Sequence, residues 1–216
     1  MNDVRPTDPG HPSDEQRPMG PRHPADGDGP RIAPGGRREV GLLTWLFSGA
    51  AGLLTGTRPP ALFLTLGKHR RLFRGWLMFA GRLMPGGRLP RRETELVILR
   101  VAQLCDCAYE FEHHRLLARR ARVGPRDVAR VVRGPDAEGW SPRERALLTA
   151  VDALHHARDL DDETWQRLRD HLDEPSAIEF LLLVGHYEML ATAIGTLRLT
   201  PDPPRRGIAG RSRAKP

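Results

Sequence analysis

Residues 89–114 read LPRRETELVILRVAQLCDCAYEFEHH. After Leu89-Pro90, apolar residues recur at Leu96, Leu99, Val101 and Leu104. That apolar pattern predicts a helix over about Arg91 to Leu104. A second helix is predicted from about Cys107 to Arg122, ending at Val123-Gly124-Pro125. The same stretch holds both cysteines of the chain, Cys105 and Cys107, with His113, His114, Glu95, Asp106 and Glu110 close by. Nucleophile, base and acid chemistry are thus concentrated in a Leu/Ala/Arg-rich helical background.

The helical pattern continues on both sides. Val40 to Thr55 is apolar on most sides and suits a helix buried in a core or a subunit interface. Thr57-Arg-Pro-Pro60 ends it. Leu62 to Met84 reads as helix, with Gly67 as an interruption and Pro85-Gly-Gly87 as the stop. A short helix is expected at Arg126 to Val132. Ser141-Pro142-Arg143-Glu144 combines an N-cap serine, proline at the first helical position and glutamate three residues on, a strong start signal. Helices at about Asp161 to Leu172 and Ser176 to Leu199 complete an all-α architecture of seven or eight helices without strands.

Composition agrees. The chain has 216 residues, 39% of them hydrophobic and 6% aromatic. A core of Leu, Ala and Val favours helices over strands. Residues 1–38 carry eight prolines and six glycines with few large apolar side chains, and are expected to be disordered. The expected division is a tail at 1–38, a helical domain at 39–200 and a basic disordered tail at 201–216.

The net charge is +7 and the pI about 10.5. Dispersed arginines such as Arg115, Arg119, Arg122 and Arg126 read as a solvated face, so no nucleic-acid partner is expected. Two cysteines cannot form a disulfide framework in a chain of this size. No apolar run reaches the roughly 18 residues needed to span a bilayer. Arg37-Arg38 before VGLLTWLFSGAAGLL (40–54) superficially resembles a twin-arginine signal, but it lies far from Met1. A cytoplasmic protein with no membrane partner is expected.

On a helix over 107–122, Cys107, Glu110 and His114 share one face and His113 falls off it. Asp106 is the expected N-cap, which places Cys107 in the first turn, where a thiolate is stabilised. His114 can take the thiol proton, and Glu95 from the preceding helix can orient His114. A zinc site from Cys105, Cys107, His113 and His114 is not expected, because a helix splays these side chains apart. Neither a metal nor a cofactor is assigned. His155-His156 reads as a helix-end pair favoured by the dipole. His186, in the apolar run LLLVGHYEMLA, is a secondary candidate for lining a pocket.

The segments LPRRETELVILRVA (89–102) and CAYEFEHHRLLARRARV (107–123) resemble the carboxymuconolactone decarboxylase family, which includes the alkylhydroperoxidase D proteins. The likeness covers roughly residues 58–124, and WSPRERALLTAVDAL (140–154) and VGHYEMLATAIGTL (184–197) look like the second half of longer members. The resemblance implies an all-helical homo-oligomer, a trimer or hexamer, acting on a small molecule. Peroxidase members place a glutamate, a CxxC pair and then a histidine four residues later. Glu95, Cys107 and His114 keep that spacing, but Glu110 stands where the second cysteine would be and Tyr109 where a histidine precedes it. The resemblance therefore implies a thiol-dependent peroxidase with Cys107 as nucleophile, His114 as base, Glu95 as relay and an external thiol reductant. Glu110 would join this catalytic set, and Tyr109 and His186 would line the pocket. Lactone decarboxylase acid–base chemistry by His114, Glu110 and Glu95 is the alternative, and a non-catalytic helical oligomer is the third reading.

Overall fold

A computed structural model of the chain describes residues 29–205. Among these residues there are ten α-helices and no strand. They are α1 (Arg37–Val40), α2 (Leu42–Thr55), α3 (Ala61–Leu66), α4 (Arg70–Leu83), α5 (Arg91–Leu104) and α6 (Ala108–Ala118), followed by α7 (Pro125–Arg133), α8 (Pro142–Ala157), α9 (Asp162–Arg169) and α10 (Glu174–Leu197). A single 3-10 turn, Arg119–Ala121, extends α6. The count exceeds the expected seven or eight because a short helix, α1, forms ahead of the expected start at Val40 and the expected Leu62–Met84 helix is divided. Gly41, at φ 85°, separates α1 from α2, a conformation open to glycine and costly for other residues. The turn at Gly67 separates α3 from α4.

Helix α5 is the axis of the fold. Every residue from Glu93 to Ala102 is buried, and α6, α7, α8 and α10 all pack on it. Its successive faces feed two clusters. Val97, Ile98 and Val101 join Phe180, Leu183 and Val184 of α10 with Leu147 and Val151 of α8. Leu96 and Leu99 join Ala118, Val123, Val131 and Trp140. Fully burying side chains of this kind stabilises by about 1.5–3 kcal/mol each before entropy is counted. Arg100, on the same helix, is 8% exposed. It donates to Asp152 at 2.6 and 2.7 Å and to the Val131 carbonyl at 2.9 Å, so its charge is paired and its guanidinium closes the end of α7.

The start signal at Ser141 forms as read. Ser141 Oγ accepts from the Glu144 amide at 3.2 Å, and Glu144 accepts from the Ser141 amide at 3.0 Å. Helix α10 has 24 residues and a mean hydropathy of 1.4 over its most apolar window, so it is long and apolar enough to cross a bilayer, contrary to expectation. Half of that window is buried inside the fold, however, which suits a core helix.

Ordered contacts extend beyond residues 39 and 200 at the two ends of the helical domain. The Arg31 amide donates to the Leu197 carbonyl at 3.0 Å and the Gly35 amide to the Leu64 carbonyl at 3.1 Å, so the chain before residue 39 already belongs to the fold. At the other end, Thr57 and Pro204 form an isolated bridge, and Asp202 accepts from the Ala61 amide at 3.0 Å. The disorder expected for 1–28 and 206–216 lies outside the described residues.

Helix α2 is not a core helix. Only Ser48 and Gly52 on it are buried. Gly52 abuts the following loop so closely that a Cβ there would lie 2.7 Å from the Arg58 carbonyl oxygen. The opposite face leaves Leu43 82%, Leu53 63% and Leu54 60% exposed.

Candidate functional site

Cys107, not Asp106, is the N-cap of α6. Asp106 takes the left-handed region at φ 50°, a position that aspartate tolerates better than most residues. This turn ends α5 and starts α6 within three residues, so α6 folds back along α5. Cys107, Glu110 and His114 then share the buried face of α6, as the helical phase predicted.

His114 Nδ1 lies 2.9 Å from Glu95 Oε2. Glu95 is fully buried, and Arg91 Nη2 lies 2.6 Å from its other oxygen, a charge pair misaligned for a hydrogen bond. With Nδ1 committed to Glu95, the nitrogen left to the substrate side is Nε2. The Tyr187 ring stands edge-on to His114 at 5.1 Å and holds the imidazole in place. The expected pairing of Glu95 with His114 is therefore present, and Arg91 joins it unforeseen.

A cavity of about 580 Å³ opens beside these groups. Its walls are mostly apolar, from Phe47 and Leu54 of α2, Leu62 and Phe63 of α3, Trp76 and Met84. Arg91, Tyr109, Glu110, His113, His114, His186 and Tyr187 supply the polar part. Buried polar groups in folded proteins are nearly always hydrogen-bonded. Here Trp76 Nε1, Arg91 Nη1, both oxygens of Glu110 and His186 Nδ1 are buried without a hydrogen-bond partner, and all belong to residues lining this cavity. Each such atom costs about 1–3 kcal/mol when left unpaired, so their convergence marks a place prepared for a ligand.

Glu110 is the most perturbed of these acids. Burial pushes its carboxyl up to about 8, so at neutral pH it is mostly protonated and can donate. Burial also holds His186 down, to about 4, with the charge of His114 adding to the effect. His186 stacks on Trp76 at 5.9 Å and is met edge-on by Phe79. His113, expected to fall off the face of Cys107, Glu110 and His114, nevertheless lines the cavity and stacks parallel to Tyr109 at 6.4 Å. Tyr109 contributes its ring to the wall. Its hydroxyl donates to Asp202 at 2.6 Å and accepts from the Leu62 amide at 3.1 Å, which ties the C-terminal segment to α3.

The two cysteines separate. Cys107 is 6% exposed and is not among the residues lining the cavity. Burial, then the neighbouring Glu110, push its thiol up to about 12. The thiol form therefore dominates at neutral pH. Cys105, at the C-cap of α5, faces His155 on another side of the fold. Arg91, Trp76 and Asp202 are the site residues that sequence reasoning missed. Arg91 had a signal, four residues before Glu95 on a predicted helix. Trp76 and Asp202 had none.

Residues 70–153 match the carboxymuconolactone decarboxylase family. The uncharacterized protein YdfG of Bacillus subtilis (strain 168) is 26% identical over 97 residues, which are 44% of this chain and 66% of that protein, just under two thirds of its length. Among solved structures, an uncharacterized peroxidase-related protein from Silicibacter sp. TM1040 aligns with a TM-score of 0.67 at 16% identity, over 74% of this chain and 84% of that one. An alkylhydroperoxidase AhpD core protein from Ralstonia eutropha JMP134, also peroxidase-related and uncharacterized, aligns at 0.65 and 20% identity, over 76% and 85%. The debrominase Bmp8 aligns at 0.66 and 18% identity, over 79% and 91%, and a variant of it is known in complex with 2,3,4-tribromopyrrole. These likenesses establish a shared helical fold.

Proposed function

We propose that this chain, which belongs to the carboxymuconolactone decarboxylase family, is an acid–base enzyme acting on a small carboxylate-bearing ring such as a lactone. The observation that carries this reading is the set of unpaired buried polar atoms on residues that line an apolar cavity, with a protonated Glu110 beside the His114–Glu95 pair. Arg91 Nη1 offers a charged donor for a substrate carboxylate. Trp76 and Phe63 offer faces for a planar ring. The size suits a small substrate, and a fold relative, Bmp8, accommodates a substituted pyrrole.

In this reading the bond between the ring and a second, departing carboxylate breaks and CO2 leaves. The electron pair moves onto the conjugated carbonyl oxygen, where the Glu110 O–H donates a hydrogen bond to the developing enolate. Protonated His114, its charge balanced by Glu95, returns a proton to the carbon through Nε2 and is recharged by solvent. The apolar walls exclude water and strengthen both interactions.

A thiol peroxidase with Cys107 as nucleophile is the competing reading, supported by the names of the fold relatives rather than by the geometry. The buried thiol, its upward shift and Glu110 in the place of a second cysteine all weigh against it. One comparison separates the two. Turnover of carboxymuconolactone and related carboxylated lactones is measured for the wild type, Cys107→Ser, Glu110→Gln and His114→Ala. The expected result is activity within a few-fold of wild type for Cys107→Ser, with losses of about 10²-fold or more for the other two. Peroxide consumption that needs Cys107, with a trappable sulfenic acid on it, would overturn the proposal.

We also propose that the protein is a homo-oligomer. The exposed apolar face of α2 supports a homo-oligomer, and Phe47 and Leu54 of the same helix line the cavity, so assembly would border the site.

A further inference from the structure

We propose that Cys105, His155 and Glu188 form a second site, separate from the acid–base cavity, that binds a zinc-class divalent cation. The three residues come from three elements: the C-cap of α5, the last turn of α8 and the middle of α10. One ligand atom from each, Cys105 Sγ, His155 Nδ1 and a Glu188 carboxylate oxygen, lies within 4.8 Å of the other two. Sγ is 3.9 Å from Nδ1, and Nδ1 is 3.0 Å from Glu188 Oε1. Around a tetrahedral zinc ion, sulfur–nitrogen and nitrogen–oxygen ligand pairs stand about 3.4–3.6 Å apart. The observed pairs bracket that spacing, so small side-chain rotations complete the set. All three residues are partly buried, which leaves a fourth position for water.

A nucleophile–base–acid triad is the rival reading of the same residues. It needs the histidine to use its two ring nitrogens on opposite sides, one for the thiol and one for the carboxylate. Here both neighbours approach the same nitrogen, Nδ1. That convergence suits chelation and not a proton relay. The mixture of thiolate, imidazole and carboxylate is a borderline-soft donor set, which favours zinc or cobalt over calcium or magnesium. Arg158 pairs with the other Glu188 oxygen and is itself 67% exposed, so it can swing into water when a cation arrives. Binding would fasten the end of α5 to α8 and α10 and release the Cys105 thiol proton.

The test uses the untagged full-length protein, stripped of metal and kept reduced with a non-thiol reductant, and titrated with Co2+. The expected result is a thiolate-to-cobalt charge-transfer absorption that saturates at about one equivalent and is displaced by Zn2+. Cys105→Ser removes the band and Cys107→Ser retains it. Glu188→Gln weakens Zn2+ binding at least about tenfold, comparable with a conserved ligand-shell change. Arg158→Gln frees the carboxylate and tightens binding about threefold, the size of one exposed ion pair. No band in the wild type, or one that survives Cys105→Ser, would overturn the site, as would a band lost only in Cys107→Ser. Unchanged affinity in Glu188→Gln would remove Glu188 from it. None of these readouts depends on catalysis in the cavity, so the two proposals fail separately.

Discussion

Glu110 carries the sharpest pH signature in the chain. Its folded pKa, about 8, is raised above the ordinary 4.5 by burial. The folded protein therefore holds a proton that the unfolded chain has lost, and stability falls as pH rises between those values. His186 and His113 are held below the ordinary 6.5, so their contribution has the opposite sign and is confined below that value. Between about pH 6.5 and 8 Glu110 contributes a falling slope. Wild-type melting temperature should fall across that window, and Glu110→Gln should flatten the fall. An equal slope in both proteins would contradict a protonated Glu110. The same ionisation predicts an alkaline limb near pH 8 in the rate, because the donor to the developing enolate is lost. Helical phase alone placed Cys107, Glu110 and His114 together, and two-helix proximity supplied Glu95. It could not show that the thiol sits behind Glu110 and outside the cavity. That depends on the left-handed turn at Asp106, which makes Cys107 a cap instead of a first-turn residue. His113 was misjudged for a related reason. Its stacking partner Tyr109 is a neighbour on α6, but the wall behind both comes from α2 and α3.

Helix α5 was legible as a helix but not as the axis of the fold. Its apolar spacing suggested one buried face, whereas ten consecutive residues are buried, Glu93, Glu95 and Arg100 among them. Those charges disguise a core helix as an amphipathic one. Each is matched from another helix or turn: Glu93 by Arg143 at 2.7 and 2.9 Å, Glu95 by His114, and Arg100 by Asp152. Sequence periodicity sees the charge but not its partner. Removing one side of such a pair strands the other in the interior, which costs about 3–5 kcal/mol. Arg100→Met should therefore destabilise by that order in urea unfolding, because Asp152 and the Val131 carbonyl both lose their donor. Arg100→Met combined with Asp152→Leu should recover a large part of the loss. If the double variant is no more stable than Arg100→Met, the guanidinium acts mainly by closing α7. The Ser141 cap is a smaller and simpler case. Ser141→Ala removes one amide acceptor at the start of α8, for about 1 kcal/mol.

The arrangement of α2 against the rest of the chain joins the fold to the site. A helix that buries only Ser48 and Gly52, yet exposes Leu43, Leu53 and Leu54, has its apolar surface on the wrong side for a monomer. The sequence suggested a core or interface helix and could not choose, since both demand the same composition. We propose the interface, because Gly52 presses α2 onto the Arg58 loop by its small face and leaves the large side chains outward. Phe47 and Leu54 also line the cavity, so a subunit covering α2 would narrow the opening and keep water from Glu110 and His114. A stable interface buries roughly 1,200–2,000 Å² in total, and exposed Leu72 and Met78 of α4 add further apolar surface to that of α2. Leu43→Glu with Leu53→Glu places two charges on that face without touching the cavity lining. Light scattering coupled to size exclusion should show an oligomer for wild type and a smaller species for the variant, with helical circular dichroism unchanged. Lactone turnover by the smaller species should fall through a raised KM, because an uncovered cavity encloses the substrate less completely. A wild-type monomer, or a variant of unchanged mass, would leave the α2 face without this role.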